Sequence, residues 1–181
     1  EIMSSDWSSD VCSSDLHAQR FLVSQAVALS LPGVPAVYIH SVIGTRNWTE
    51  GVVETGLARS INRRKLAVEE IEQQLKNPDD LRAKIFHPYL EMIRIRRNQP
   101  AFHPNADFQV VELDQRVFGV VRKAENQTIL ALANLSDQPL SVFPAGAVPL
   151  QEMTDLFSGK RLPTAGKLVL APYQYAWLKA M

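Results

Sequence analysis

Leu31-Pro-Gly-Val-Pro-Ala-Val-Tyr-Ile-His40 is the stretch on which the fold turns. Pro32-Gly33 is a stop signal, and Val34 to His40 behind it is a short, nearly continuous apolar run rich in β-branched and aromatic residues. Such a run suits a strand covered on both faces, the situation of a parallel strand between helices. The expectation is an α/β arrangement with 34–40 as a buried parallel strand.

Toward the N-terminus, His17 to Leu31 places Phe21, Leu22, Gln25, Ala28 and Leu29 at three-four spacing, which predicts a helix ending at the Pro32-Gly33 turn. Residues 1–16 look foreign to this pattern. They repeat Ser-Ser-Asp three times and show no amphipathic period. Asp10-Val-Cys-Ser-Ser-Asp-Leu16 resembles the translation of a common sequencing-adapter read, so residues 1–16 are set aside as an artefactual segment, with a disordered natural tail as the alternative. Neither the basic n-region nor the apolar h-region of a signal peptide is present there.

Toward the C-terminus, Ser41 to Arg64 has no clear period and contains Gly44, Gly51 and Gly56. A structureless loop of that length inside a compact domain is uncommon and usually functional. Two helices are predicted next, Val68 to Lys76 and one from Asp79-Asp80 to Asn98. Pro88 inside the second should kink or divide it. From Asp107 the period drops to about two. Phe108–Leu113, Val117–Arg122, Thr128–Asn134, Leu140–Phe143, Lys167–Leu170 and Tyr173–Leu178 read as short strands separated by turn residues, which indicates an antiparallel sheet or sandwich. The sequence thus divides into 17–100, the end of an α/β domain, and 101–181, a small all-β domain.

Composition narrows the partners. Lys+Arg and Asp+Glu both number 19 in 181 residues, so no net field attracts nucleic acid or an anionic membrane. No apolar run is long enough for a bilayer span. A single cysteine, Cys12, excludes an internal disulfide framework and suits a reducing, cytoplasmic setting.

Ligands of α/β folds and β/α barrels bind at the carboxyl ends of the parallel strands, so the loop after His40 is the candidate site. Arg46, Asn47, Trp48, Arg59, Asn62, Arg63 and Arg64 lie in it. Arginine offers a fixed fork of donors to hydroxyls, phosphate or carboxylate, and tryptophan a face for a sugar ring; the plain alternative is a solvated polar loop. Glu50 and Glu54 share the loop, but nothing in the sequence sets them across one sugar as glycoside chemistry requires. His17, His40, His87 and His103 have no metal-ligand spacing, and neither a nucleophile elbow nor a phosphate-binding loop occurs. No catalytic set and no cofactor or metal site is expected.

The string Leu31 to Ile39 resembles the eighth-strand signature of the alpha-amylase superfamily (glycoside hydrolase family 13). Gly44-Thr-Arg-Asn47 and Thr55-Gly-Leu-Ala-Arg-Ser-Ile-Asn-Arg63 are similar to the loop of its sucrose phosphorylase and glucosylglycerate phosphorylase subfamily. Leu90 to Phe102 resembles the helix leaving the barrel. Asn134-Leu-Ser136, Asp155 to Gly159, Pro172-Tyr-Gln174 and Trp177-Leu178 resemble the family's C-terminal β-domain.

That resemblance implies the last helix-strand-loop-helix of a (β/α)8 barrel followed by an antiparallel domain. It implies a parent glycosyltransferase that moves a glucosyl unit from an α-glucoside to inorganic phosphate with retention, giving α-glucose 1-phosphate without a cofactor. Arg59 matches the residue that holds the 4-hydroxyl of the glucosyl unit; Asn62 and Arg63 fall in the same motif, and Arg46 and Trp48 on the acceptor side. The family's three catalytic carboxylates match no position here, so the chain alone is expected to be inactive. Two other readings stand beside it: a related hydrolase or transglucosidase, and a non-catalytic carbohydrate-binding β-module, which would need a row of exposed aromatic residues on one sheet face.

Overall fold

The computed structural model describes residues 15–144, 148, 152–163 and 166–180. Of the segment 1–16 set aside above, positions 1–14 lie outside the described residues. The first helix, α1 (Asp15–Ser30), matches the predicted one and stops at Pro32-Gly33. The chain forms two compact units. One is built on Ala36–Leu90, the other on Gln19–Pro35 together with the chain from Glu91 onward.

The helical unit starts where the strand was expected. Residues 34–38 take no regular structure, and Ile39–Val42 is a single helical turn, α2. Val34 is 83% exposed and Ile39 59%, so the parallel-strand expectation for 34–40 is corrected. The reason is the backbone. A strand exists only where a neighbour takes up its N–H and C=O groups, and among the described residues no strand pairs with this run. The chain pairs locally instead, with Ser41 and Val42 N–H both donating to the Tyr38 carbonyl (3.0 and 3.2 Å) and Ile43 N–H to that of Ile39 (3.1 Å).

The segment 41–64 is not structureless either. It contains α3 (Thr49–Thr55) and a 3-10 turn, Ala58–Asn62. After it come α4 (Val68–Lys76), with the predicted bounds, and α5 (Leu81–Arg97). Asp80 caps α5, its Oδ1 accepting the Arg82 N–H at 2.8 Å. The helix runs on through Pro88 rather than dividing there.

The sheet unit holds β1 (Asp107–Val110), β2 (Val117–Ala124), β3 (Gln127–Asn134), β4 (Leu140–Val142), β5 (Glu152–Asp155), β6 (Arg161–Pro163), β7 (Leu168–Leu170) and β8 (Tyr175–Ala180). Six of these form an antiparallel sheet in the order β1-β2-β3-β8-β5-β6, and β4 and β7 pair separately. Opposed residues such as Val121 and Leu130, Leu130 and Leu178, and Leu132 and Ala176 share one face. They join Leu140, Val142 and Leu170 of the small sheet, with Met153 of β5, in one apolar cluster. On the other face lie Val120, Arg122, Ile129, Ala131 and Trp177. Phe102, in a 3-10 turn at Pro100–Phe102, meets the Trp177 ring there at 4.7 Å. Covered on both faces, β3 is buried from Ile129 to Asn134. Full burial of a side chain of this size is worth roughly 1.5–3 kcal/mol over exposure, so the centre of this sheet dominates the unit's stability.

The boundary expected at 100/101 falls inside the sheet unit. Arg96 donates to the carbonyls of Leu29 and Gly33, and Arg122 to those of Ser30 and His103. These bonds tie the end of α1 and the last turns of α5 to the strands.

Candidate functional site

The loop that carries the candidate residues is folded back on itself by a few polar ties. Trp48 N–H donates to the Ile61 carbonyl at 2.6 Å, which sets the start of α3 beside the end of the 3-10 turn. Tyr38 Oη donates to the Asn62 carbonyl at 2.9 Å. Thr55 Oγ1 donates to the Gly51 carbonyl (2.6 Å) and lies 2.7 Å from Ser60 Oγ, joining the end of α3 to the only buried residue of the 3-10 turn. Ser60 N–H and Arg63 N–H then close the turn on the Leu57 and Ser60 carbonyls.

Two glycines make this path possible. Gly44 has φ +57°, and a Cβ there would come within 2.8 Å of Ile85 Cδ1 on α5, so only glycine suits both its backbone and its close contact. At Gly51 a Cβ would collide with the Trp48 ring, which lies directly over the α3 backbone. Trp48 is accordingly half-buried, and its ring is engaged in holding the loop.

The other candidates are exposed. Arg46 and Asn47 lie in the stretch before α3, Arg59 and Asn62 in the 3-10 turn, and Arg63 and Arg64 just after it. The loop therefore brings Trp48 alongside Ile61 and Asn62, with Arg59 one 3-10 turn earlier. Among the described residues the Arg59 guanidinium has no hydrogen bond or ion pair. A cationic donor fork thus projects from a turn whose backbone is fixed by Thr55 and Ser60, an arrangement that can orient a hydroxyl or an oxyanion. Glu50 and Glu54 sit four residues apart on α3, hence on the same helix face, and both are exposed. They do not oppose each other across a site. Among the described residues no three His, Cys, Asp or Glu side chains gather as metal ligands would.

The sequence reading missed the residues that hold the loop. Arg82, on the first turn of α5, donates to the Ile43 carbonyl (2.7 Å), to Thr45 Oγ1 (3.2 Å) and to Gln74 Oε1 (2.6 Å). Burial pulls its guanidinium below its ordinary value, and the charges of Asp80 and Glu70 partly offset this. An arginine after an Asp-Asp cap reads as ordinary helix-surface charge, so no pattern marks it. His40 packs against Tyr38 with the rings tilted and 5.2 Å apart, its Nδ1 buried and unpaired among the described residues. On the sheet, Trp177 is 1% exposed and lies between Phe102 and Phe157, so it is a core residue and no sugar platform.

The chain is similar to parts of longer amylases and phosphorylases. Residues 108–177 match the family model "Maltogenic Amylase, C-terminal domain". A glucosylglycerate phosphorylase of Spirochaeta thermophila is 38% identical over 175 residues, which cover 90% of this chain and 30% of that protein. A glucosylglycerate phosphorylase of Allomeiothermus silvanus is 35% identical over 164 residues, covering 91% of this chain and 27% of that protein. The chain therefore spans less than a third of the length of these relatives. An Anoxybacillus alpha-amylase structure superposes with a TM-score of 0.70 at 15% identity, covering 91% of this chain and 32% of that one, a likeness of fold.

Proposed function

Because the chain belongs to glycoside hydrolase family 13, the alpha-amylase superfamily, we propose that it is the C-terminal part of a retaining, glucosyl-transferring phosphorylase of the glucosylglycerate type. The observation that carries this reading is the continuous match, through about nine-tenths of the chain, to two phosphorylases of that name. It favours a phosphorylase over a hydrolase of the same superfamily.

In this reading residues 17–100 are the last helix, strand, loop and helix of a (β/α)8 barrel, and 101–181 its antiparallel C-terminal domain. The exposed run 34–39 is the surface on which a neighbouring strand of the longer protein would pack. Its exposed side chains, Val34, Val37 and Ile39, are the apolar surface such a strand would bury. Arg59 then holds the 4-hydroxyl of the glucosyl unit, its reach set by the Thr55–Ser60 brace. Asn62 and Arg63 support the same turn, and Arg46 lies toward the acceptor. Trp48 fixes the loop from below through its contact with Gly51.

The chemistry of such a phosphorylase needs one carboxylate as nucleophile and a second as acid and base, with phosphate collecting the glucosyl unit from the covalent intermediate. Those carboxylates belong to the part of the longer protein preceding His17, and the chain by itself is inactive. The substrates are an α-glucoside of a glycerate-like acceptor and inorganic phosphate.

The test is to extend the reading frame upstream of His17, express the longer product and supply glucosylglycerate with phosphate. Release of α-glucose 1-phosphate, with Arg59→Ala lowering kcat/KM by roughly ten- to a hundredfold as a lost charged contact to a sugar hydroxyl does, supports the reading. Release of free glucose at the same rate with or without phosphate would mean a hydrolase and overturn it.

A further inference from the structure

The sheet unit contains a cleft that the proposed function does not use. It has a volume of about 420 Å³, and its lining includes Gly33, Arg96, Arg97, Asn98, Gln99 and His103. No aspartate or glutamate lines it.

Val34, Pro35, Pro100, Phe102 and Pro104 give it apolar walls, and one buried cation, Arg96, reaches it with Arg122 behind. Arg96 is 8% exposed, lies over the Phe102 ring at 5.4 Å, and donates to the Leu29 and Gly33 carbonyls. Arg122 is fully buried and donates to the carbonyls of Ser30 (3.1 Å) and His103 (2.8 Å), while its Nε is buried with no acceptor. Neither arginine has a carboxylate partner among the described residues. The two cations feel each other as well: burial first, and then the charge of Arg122, pulls Arg96 below its ordinary value.

What faces these guanidinium groups is the carboxyl end of α1, whose last turn carries no basic residue of its own. A helix terminus offsets only about half a charge, so Arg96, with the charge of Arg122 behind it, leaves a surplus of positive potential where it reaches the cleft. Its rim supplies oriented donors. Gln99 Oε1 is occupied by Gln127 Nε2 at 2.8 Å, which leaves the Gln99 NH₂ as a donor. His103 Nδ1 accepts the Asn105 N–H at 3.2 Å, so the neutral ring carries its proton on Nε2. Arg97 is exposed and adds a third guanidinium.

We propose that this cleft binds a small tetrahedral oxyanion of the phosphate class, either the free ion or the phosphate group of a phosphomonoester, held by Arg96, Arg97, Asn98, Gln99 and His103. The surplus charge supplies the attraction and the amide and imidazole donors the geometry. A phosphate group fills only part of the volume, which leaves room for the organic part of an ester. The site uses no residue of the Arg59 loop, and Val34 and Pro35 in its wall belong to the run that the phosphorylase reading covers with a neighbouring strand.

The test is a titration of the isotopically labelled chain with sodium phosphate, with glucose 1-phosphate and with sodium chloride at matched ionic strength, following the backbone amides of Gly33, Arg97, Asn98 and His103. Saturable shifts confined to these amides are expected with both phosphates and absent with chloride. Tighter binding of the ester assigns the organic ligand, and equal binding the free ion; both sustain the site. Arg97→Gln should weaken binding roughly tenfold, one charge-assisted hydrogen bond. Arg94→Gln removes an equal charge from the same helix at a residue outside the cleft, paired 3.7 Å from Glu91, and should leave binding unchanged. Equal weakening by the two variants, chloride shifts matching those of phosphate, or no saturation would overturn the proposal.

Discussion

The two units are held together by different physics. In the sheet unit, Leu130, Leu132, Met153, Leu170 and Trp177 are at most 1% exposed, and each strand of the large sheet finds its neighbour within the chain. In the helical unit Val37, Tyr38, Ile39, Val53, Leu57 and Val68 are all exposed, and the buried set among the described residues is small, chiefly Val42, Ile43, Ala83, Ile85 and Tyr89. What gives that unit its shape is a short series of hydrogen bonds, Tyr38 to Asn62, Trp48 to Ile61, Thr55 to Ser60 and Arg82 to Ile43. A hydrogen bond of this kind nets about 1 kcal/mol, whereas a buried aromatic carries several times that. The sheet unit should therefore be stable by burial, and the helical unit marginal until something covers its apolar surface.

The sharpest way to break this comparison is a pair of tryptophan truncations. Trp177→Ala removes a ring packed between Phe102 and Phe157 and should cost about 3–5 kcal/mol, enough to unfold most of the sheet. Trp48→Ala removes a half-buried ring resting on Gly51 and should cost roughly 1–2 kcal/mol. Urea midpoints read by near-ultraviolet dichroism compare the two. Equal losses would mean that the helical unit has a core comparable to that of the sheet.

The same contrast explains what could be read in the sequence. The strands at Val117 and Thr128 were legible because their apolar residues meet partners across a short turn of the chain. Helix α4 was legible to the residue because its charged and apolar faces are set by local spacing alone. The run 34–40 misled for the opposite reason: its composition describes a strand, but a strand is a property of two backbones, and the second is not among the described residues. Strands β5 and β6 went unread because Glu-Met-Thr-Asp and Arg-Leu-Pro each carry a single large apolar residue, Met153 and Leu162, and so show no alternation. Helix α3 was hidden by Gly51, a poor helix former that is required because Trp48 lies over it. At the candidate site the residue types were legible in the Thr55–Arg63 motif, but its bracing was not. Arg82, Thr55 and Ser60 act through contacts to carbonyls and hydroxyls that no spacing rule announces.

A second pair of substitutions compares the buried polar ties. Arg122→Ala strips the donor from the Ser30 carbonyl in a buried setting and from the His103 carbonyl in a part-buried one, and should cost about 2–3 kcal/mol. Arg82→Ala frees the Ile43 carbonyl and Thr45 hydroxyl in a part-buried setting where water can replace the guanidinium, and should cost about 1 kcal/mol. Arg122→Met restores the packing but not the bonds, so its loss in the same denaturation experiment separates the two contributions. If Arg122→Met were as stable as the parent chain, the arginine would owe its place to packing of its stem and not to the carbonyls it reaches.

The smallest effect is electrostatic and lies at high pH. Tyr175 faces Phe157 edge-on at 5.0 Å, and its phenol is pushed up to about 12, by burial first and then by the negative charge of Asp155. The folded state thus favours the neutral phenol. Its contribution is complete below the unfolded value near 10 and is lost as the pH climbs from there through about 12, because the unfolded chain releases its proton first. Other groups titrate in the same window, so the informative quantity is the difference between the parent chain and Tyr175→Phe. That difference in unfolding free energy should hold steady up to about pH 10 and then move against the parent chain until about pH 12. A difference that stays flat across the window would mean that the phenol ionises as easily folded as unfolded, and that this edge of the sheet is more open to water than the Phe157 contact implies.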